Sequence, residues 1–158
     1  MPKIISELSW SRVSQRVLVV GLGLHFVLVG LLLWKKPGPP AALLIPLLSS
    51  AVVVLALRAI RTVRVAVDGM DLTVGFPFFR RRIPLSIIDR VSPVRYRWFQ
   101  WGGWGIRYRW GAVLYNVPGD QGRAVELTLR SGKKVLFSAG DPDAVCTAIR
   151  QQRALAPS

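Results

Sequence analysis

Residues 17–34 read VLVVGLGLHFVLVGLLLW, eighteen positions without Asp, Glu, Lys or Arg. A helix of that length spans about 27 Å, close to the hydrocarbon thickness of a bilayer. Arg16 precedes the run, Lys35 and Lys36 follow it, and Trp34 sits where an interfacial aromatic belongs. A second charge-free run covers 41–57. It is slightly short, but Arg58 can snorkel and the helix can continue through Ile60. Between the runs lies Lys35-Lys36-Pro37-Gly38-Pro39-Pro40, which stops helices. The expectation is an antiparallel transmembrane hairpin of 17–34 and 41–60 with a short loop at 35–40. A cleaved signal peptide fits less well: the run is long, no small-residue cleavage site follows, and a second span comes at once.

Orientation follows from the Lys/Arg bias. Lys3, Arg12 and Arg16 precede the first span, Arg58, Arg61 and Arg64 follow the second, and the loop has two lysines. Both termini are expected on the cytoplasmic side, with 1–16 as a cytoplasmic N-terminal segment. His25, the single histidine, lies inside the first span. An intramembrane ionisable group is a functional candidate by default. No second titratable group lies in either span to form a relay, so the favoured reading is a neutral imidazole bonded to Ser49 or Ser50.

After Arg61 the apolar period changes to two. Val63, Val65 and Val67 alternate with Thr62, Arg64 and Ala66; Asp68-Gly69 signals a turn; Leu72, Val74 and Phe76 resume the alternation. This is a β-hairpin pattern. Further strands are expected around 87–91, over 125–129, and over 133–138 after the Ser131-Gly132 turn. In the last of these Leu136 competes with Val135 and Phe137 for the inner face. The chain closes on a helix over 141–153: Asp141 suits the N-cap, Pro142 the first helical position, and Asp143 the positive end of the dipole. Val145, Ala148 and Ile149 form its apolar stripe, with Cys146 beside it as a small core residue. Residues 61–153 therefore read as a mainly β domain of antiparallel strands capped by one helix, a pleckstrin-homology (PH)-like arrangement, with 154–158 as a tail.

Several motifs carry a resemblance. They are Val65-Ala66-Val67-Asp68-Gly69-Met70-Asp71-Leu72, Arg80-Arg81-Arg82-Ile83-Pro84-Leu85, Gly102-Gly103-Trp104-Gly105-Ile106-Arg107, Tyr115-Asn116-Val117, Glu126-Leu127-Thr128-Leu129 and the Asp141-Pro142 helix start. On these the chain resembles bacterial membrane proteins with two N-terminal spans and a C-terminal PH-like domain, over roughly 61–153. The resemblance implies that fold, a multi-pass place in the bacterial inner (plasma) membrane, and no enzyme activity.

The residues point the same way. With 22 Lys+Arg against 8 Asp+Glu the net charge is +14, which attracts polyanions. The lone Cys146 excludes an internal disulfide and, without a histidine in the soluble part, gives no Cys-His nucleophile. A zinc site needs more Cys and His. Asp68 and Asp71 flank a turn, where Asp is expected for backbone reasons. No catalytic residue, metal or cofactor is expected.

The strongest positive feature is 95–110, RYRWFQWGGWGIRYRW. Arg95 and Arg97 alternate with aromatic residues, as do Arg107 and Arg109, and a glycine-rich middle carries Trp101 and Trp104. If the flanks are strands, each puts its arginines on one face, with the tryptophan loop at the tip. Tryptophan suits the membrane interface and arginine binds phosphate. Together with Arg58, Arg61, Arg64, Arg80, Arg81 and Arg82 these residues are the candidate contact surface for anionic lipid headgroups or a membrane-held partner. Tyr108 and Trp110 are expected in the core. The leading functional reading is a non-enzymatic membrane-anchored module. The alternatives are an assembly subunit docking another membrane protein or a second copy of itself, and, further behind, nucleic-acid binding through basic and aromatic residues.

Overall fold

A computed structural model describes residues 3–35 and 44–155. They form β1 (Lys3–Ser9), α1 (Arg12–Lys35), α2 (Leu44–Ala59), β2 (Thr62–Asp68), β3 (Asp71–Gly75), β4 (Arg80–Pro84), β5 (Ile88–Arg95), β6 (Gly105–Arg109), β7 (Ala112–Asn116), β8 (Arg123–Leu129), β9 (Lys134–Ser138) and α3 (Pro142–Leu155). Residues 36–40 of the expected loop, 41–43 of the second expected span and 156–158 of the expected tail lie outside the described residues.

Within α1 the stretch Ser14–Leu31 is long and apolar enough to cross a membrane, and none of its residues is fully buried, although Leu18 packs partly against the core. The apolar part of α2, Pro46–Leu55, is shorter. The remainder is a mainly β domain of two sheets and a C-terminal helix. One sheet is antiparallel in the order β1-β2-β3-β4. The other runs β5-β8-β9-β7-β6, with β7 and β9 parallel.

The period-two pattern of 62–76 forms the expected hairpin, with Asp68 opposite Asp71 and Gly69 at φ +61 in the turn. Its inner residues Val63, Val65, Leu72 and Val74 join Ile88, Leu127, Phe137 and Ile149 in one core spanning both sheets and α3. Each such side chain contributes roughly 1.5–3 kcal/mol on full burial. Strand β9 is central and buried on both sides: Val135 and Phe137 face the core, while Leu136 lies on the other face, opposite Leu114. A strand covered on both faces carries no alternation from which to choose.

The N-terminal segment differs from expectation. Residues 3–9 are a strand, paired antiparallel with β2 from Lys3↔Val67 to Ser9↔Thr62. A register shift between Ile4 and Ser6 breaks the period-two pattern, which hides the strand from sequence. Helix α3 is capped as expected, Asp141 Oδ1 accepting the Ala144 amide at 3.1 Å. It docks on β5 through Arg150, whose guanidinium donates to Val91 O at 2.6 Å.

Candidate functional site

The β1–β2 register places the roots of both helices at one end of the four-stranded sheet, because β1 leads into α1 at the level where α2 leads into β2. Trp10 ties the two together. Its amide donates to Arg61 O and its indole Nε1 to Ile60 O, each at 3.1 Å. Ser11 caps α1 by accepting the Ser14 amide at 3.1 Å. The Ser11 amide reaches Pro118 O at 3.5 Å, so the loop after β7 lies against the same root. Gly119 makes that approach possible: at φ +85, a Cβ there would sit 2.6 Å from Ser11 Oγ.

Other loops converge on this end. Strand β3 runs back toward it, since Gly75 pairs with Arg64, and turns through Phe76–Phe79. The turn is closed by reciprocal Phe76 and Phe79 backbone bonds of 3.1 Å. Only glycine fits at 75, where a Cβ would meet Phe79 O at 2.2 Å. After β5 comes a 3-10 turn, Trp98–Trp101, then Gly102 and Gly103. Trp98 stacks on Trp104 at 4.5 Å, and Arg97 stands 5.9 Å from the Phe99 ring. Phe78 is 79% exposed and Phe99 58%, with Phe79, Trp98 and Trp104 also exposed. Phe78, Phe79, Trp98 and Phe99 were not singled out from sequence, although Phe78-Phe79 directly precedes Arg80-Arg81-Arg82, the same mixture of aromatic and basic residues as in 95–110.

A buried polar knot holds these loops. Tyr96 and Ser138 both donate hydroxyl hydrogen bonds to Asp120 Oδ2, while Asp120 Oδ1 accepts the Gly122 amide at 2.9 Å. Burial, followed by the Asp120 hydrogen bond, pushes the Tyr96 phenol well above its ordinary range. The knot joins the end of β5, the loop before β8 and the end of β9. It acts as a clasp, with three donors from three segments converging on one carboxylate. Cys146 is likewise buried, and burial raises its thiol pKa. Among the described residues no three His, Cys, Asp or Glu gather to hold a metal.

Beside the knot a cleft of about 560 Å³ opens where the helix root meets the β domain. Its walls are Trp10, Val17, Leu18, Ile60, Trp104 and Pro118, with Ser14, Gly103 and Arg107 supplying the polar atoms. Arg107 Nε is buried and has no hydrogen-bond partner among the described residues. Asn116, also buried, donates to Gly103 O at 3.3 Å and braces that wall.

The expected basic residues divide among several places. Arg58 and Arg61 lie exposed at the helix root, and Arg64 pairs with Glu7 at 3.2 Å on the outer face of β2. Arg80, Arg81 and Arg82 occupy β4, the edge of the first sheet, with Arg80 nearest the helix-bearing end. Trp101 is half-buried in the 3-10 turn, and Trp104 forms one wall of the cleft. The four arginines of 95–109 do not sit on one hairpin: Arg95 belongs to β5 with Arg97 just after it, and Arg107 and Arg109 to β6. Strands β5 and β6 are opposite edges of the second sheet, separated by β8, β9 and β7, roughly 19 Å at the usual strand spacing. The segment 96–104 crosses the end of the sheet instead of turning back as a hairpin. Arg95 and Arg97 stay on the β5 side, Arg107 sits at the cleft, and Arg109 lies at the far end of β6.

Two further expectations are corrected. Tyr108 and Trp110 are not core: they are 80% and 100% exposed, because β6 is an edge strand whose tip runs past the core. Trp110 and Gly111 make the β6–β7 turn with φ of +28 and +76. His25 is exposed, with its ring edge-on to Phe26, and no hydrogen bond to Ser49 or Ser50 is seen among the described residues. Ser49 instead donates to Pro46 O at 3.0 Å, and Ser50 Oγ is buried without a partner among the described residues.

Fold and site together define a mainly β domain carried by an apolar N-terminal helix, with an aromatic end and an apolar-walled cleft where the two meet. Comparison with family models, curated proteins and solved structures returns no match to this chain.

Proposed function

We propose that the protein is a non-enzymatic, membrane-anchored module of PH-like design. In this reading α1 and α2 cross the bilayer as a hairpin, both termini face the cytoplasm, and the β domain rests its helix-bearing end on anionic headgroups. One observation carries it: two separate loops with exposed aromatic side chains, Phe78 and Phe79 in one and Trp98 and Phe99 in the other, both lie at the end from which the apolar helix leaves. Rings at that level suit the interfacial layer, and Arg61, Arg80 and Arg97 stand beside them for lipid phosphates. Each Lys or Arg at an anionic surface contributes about 1 kcal/mol. A span of apolar helix outweighs that many times over, so the loops set the tilt of the domain and the helices provide the attachment.

Site-directed spin labels at 78, 99 and 110, in the full chain reconstituted into bilayers containing phosphatidylglycerol, test this. Labels at 78 and 99 should be accessible to lipid-soluble oxygen, and a label at 110 to a water-soluble nickel chelate. Equal water exposure at all three sites would overturn the reading.

A second role is favoured by the far end. Trp110 is fully exposed in a backbone conformation rare for a tryptophan, beside Tyr108, Arg109, Lys133 and Lys134. This is the surface through which an accessory subunit would hold an acidic partner at the membrane. Stoichiometric co-purification in mild detergent that is lost on Trp110→Ala would support it.

A further inference from the structure

The cleft at the helix root combines features that a flat resting surface does not need. We propose that it binds one anionic phospholipid, taking the phosphate at Arg107 and the upper acyl chain along Val17 and Leu18. The proposal rests on the membrane reading above and names the ligand of that end. The volume of about 560 Å³ is that of a small-ligand site. Among the described residues no carboxylate lines it, and the first turn of α1 contains no acidic residue. One of its lining side chains is the Arg107 guanidinium, whose Nε finds no partner among the described residues, and its planar fork of donors is what a phosphate would engage. Gly103 leaves room for that guanidinium, since a Cβ there would stand 3.1 Å from Arg107 Nη2.

The apolar walls select a lipid over a free anion. Inorganic phosphate could answer Arg107 but would leave Trp10, Val17, Leu18, Ile60 and Trp104 lining a wet cavity. Val17 and Leu18 belong to the Ser14–Leu31 stretch, so the cleft continues directly onto the face of the candidate span. An acyl chain leaving the cleft along α1 would therefore never cross water.

Native mass spectrometry of the full chain, released from nanodiscs of dioleoyl-phosphatidylglycerol or dioleoyl-phosphatidylcholine, tests the proposal. One phosphatidylglycerol should be retained per chain, in preference to phosphatidylcholine. Arg107→Leu should lower that retention about tenfold, the scale of one charge-assisted bond. Val17→Trp, at an exposed position that demands no repacking, should block retention of either lipid by filling the cleft. Inorganic phosphate in excess should not displace the lipid; displacement would reduce the cleft to a simple anion site and overturn the proposal. So would wild-type retention in both variants. If that happens while labels at 78 and 99 remain in lipid, only the lipid site falls. If those labels are in water, the membrane reading falls with it.

Discussion

Asp120→Ala should destabilise the β domain more than most single changes. The side chain is buried and accepts from the Tyr96 hydroxyl, the Ser138 hydroxyl and the Gly122 amide. Hydrogen bonds to a charged acceptor contribute roughly 1.5–3 kcal/mol each, which sets a ceiling of about 5–9 kcal/mol. Two effects lower it. Removing the carboxylate relieves the cost of burying its charge, which is several kcal/mol. The two orphaned hydroxyls also stand 3.3 Å apart and can satisfy one another. The net loss is about 2–4 kcal/mol, dominated by the unpaired Gly122 amide and the unclasped loop. At roughly 4–8 °C per kcal/mol for a domain of this size, the melting temperature should fall by at least ~8 °C. Asp120→Asn should cost about half as much, because the amide oxygen retains one acceptor and its NH2 can face the hydroxyls. Thermal unfolding of the full chain in detergent, followed by near-ultraviolet circular dichroism, measures both. A double-mutant cycle with Tyr96→Phe should give a coupling of at least ~1 kcal/mol. If Asp120→Ala melts within ~2 °C of the wild type, or the coupling is zero, the knot holds nothing and the reasoning is refuted.

Three other outcomes follow from the same geometry. The Tyr96 phenol is raised above its unfolded value of 10.0, so its contribution to stability is complete below about pH 10 and is lost as pH rises through the folded pKa; urea titrations should show a shallower alkaline loss in Tyr96→Phe than in the wild type, and parallel slopes would count against it. Asp141→Ala removes the acceptor for the Ala144 amide and should cost about 1 kcal/mol through the lost N-cap; an unchanged denaturation midpoint would place the start of α3 elsewhere. Gly119→Ala must strain φ +85 and push against Ser11, so it should cost about 1–3 kcal/mol and speed proteolysis between α1 and the β domain, whereas Gly132→Ala, with open space around its Cβ position, should cost only the backbone strain and leave the helix root protected.

What could be read in advance was short-range. The apolar run, the β2–β3 hairpin and the capped α3 each depend on residues a few positions apart, where periodicity, a turn glycine and an Asp-Pro cap act directly. The candidate site was legible only as composition: 95–110 stood out as basic and aromatic, and Trp104, with Trp98 stacked on it, does lie at the helix root, whereas Trp110 lies at the far end. Their arrangement was misread, because a glycine-rich stretch between two alternating runs looks like a hairpin turn whether the chain doubles back or crosses to the far edge of a sheet.

Read alone, the sequence determines an apolar N-terminal helix of bilayer length, a basic β-rich remainder and a C-terminal helix, since these are consequences of local pattern and charge. Tertiary structure decided which strands are neighbours. β1 pairs with β2 although Ser9 and Thr62 are separated by both helices, and β9 pairs in parallel with β7. Tyr96, Asp120 and Ser138 meet across separations of 24 and 18 residues. Their partners are fixed by the closing of one shared core, which no local window of sequence contains. The cleft exists for the same reason: its walls come from Trp10, Ile60, Trp104 and Pro118, four segments brought together only when β1 and the loop after β7 close on the root of α1.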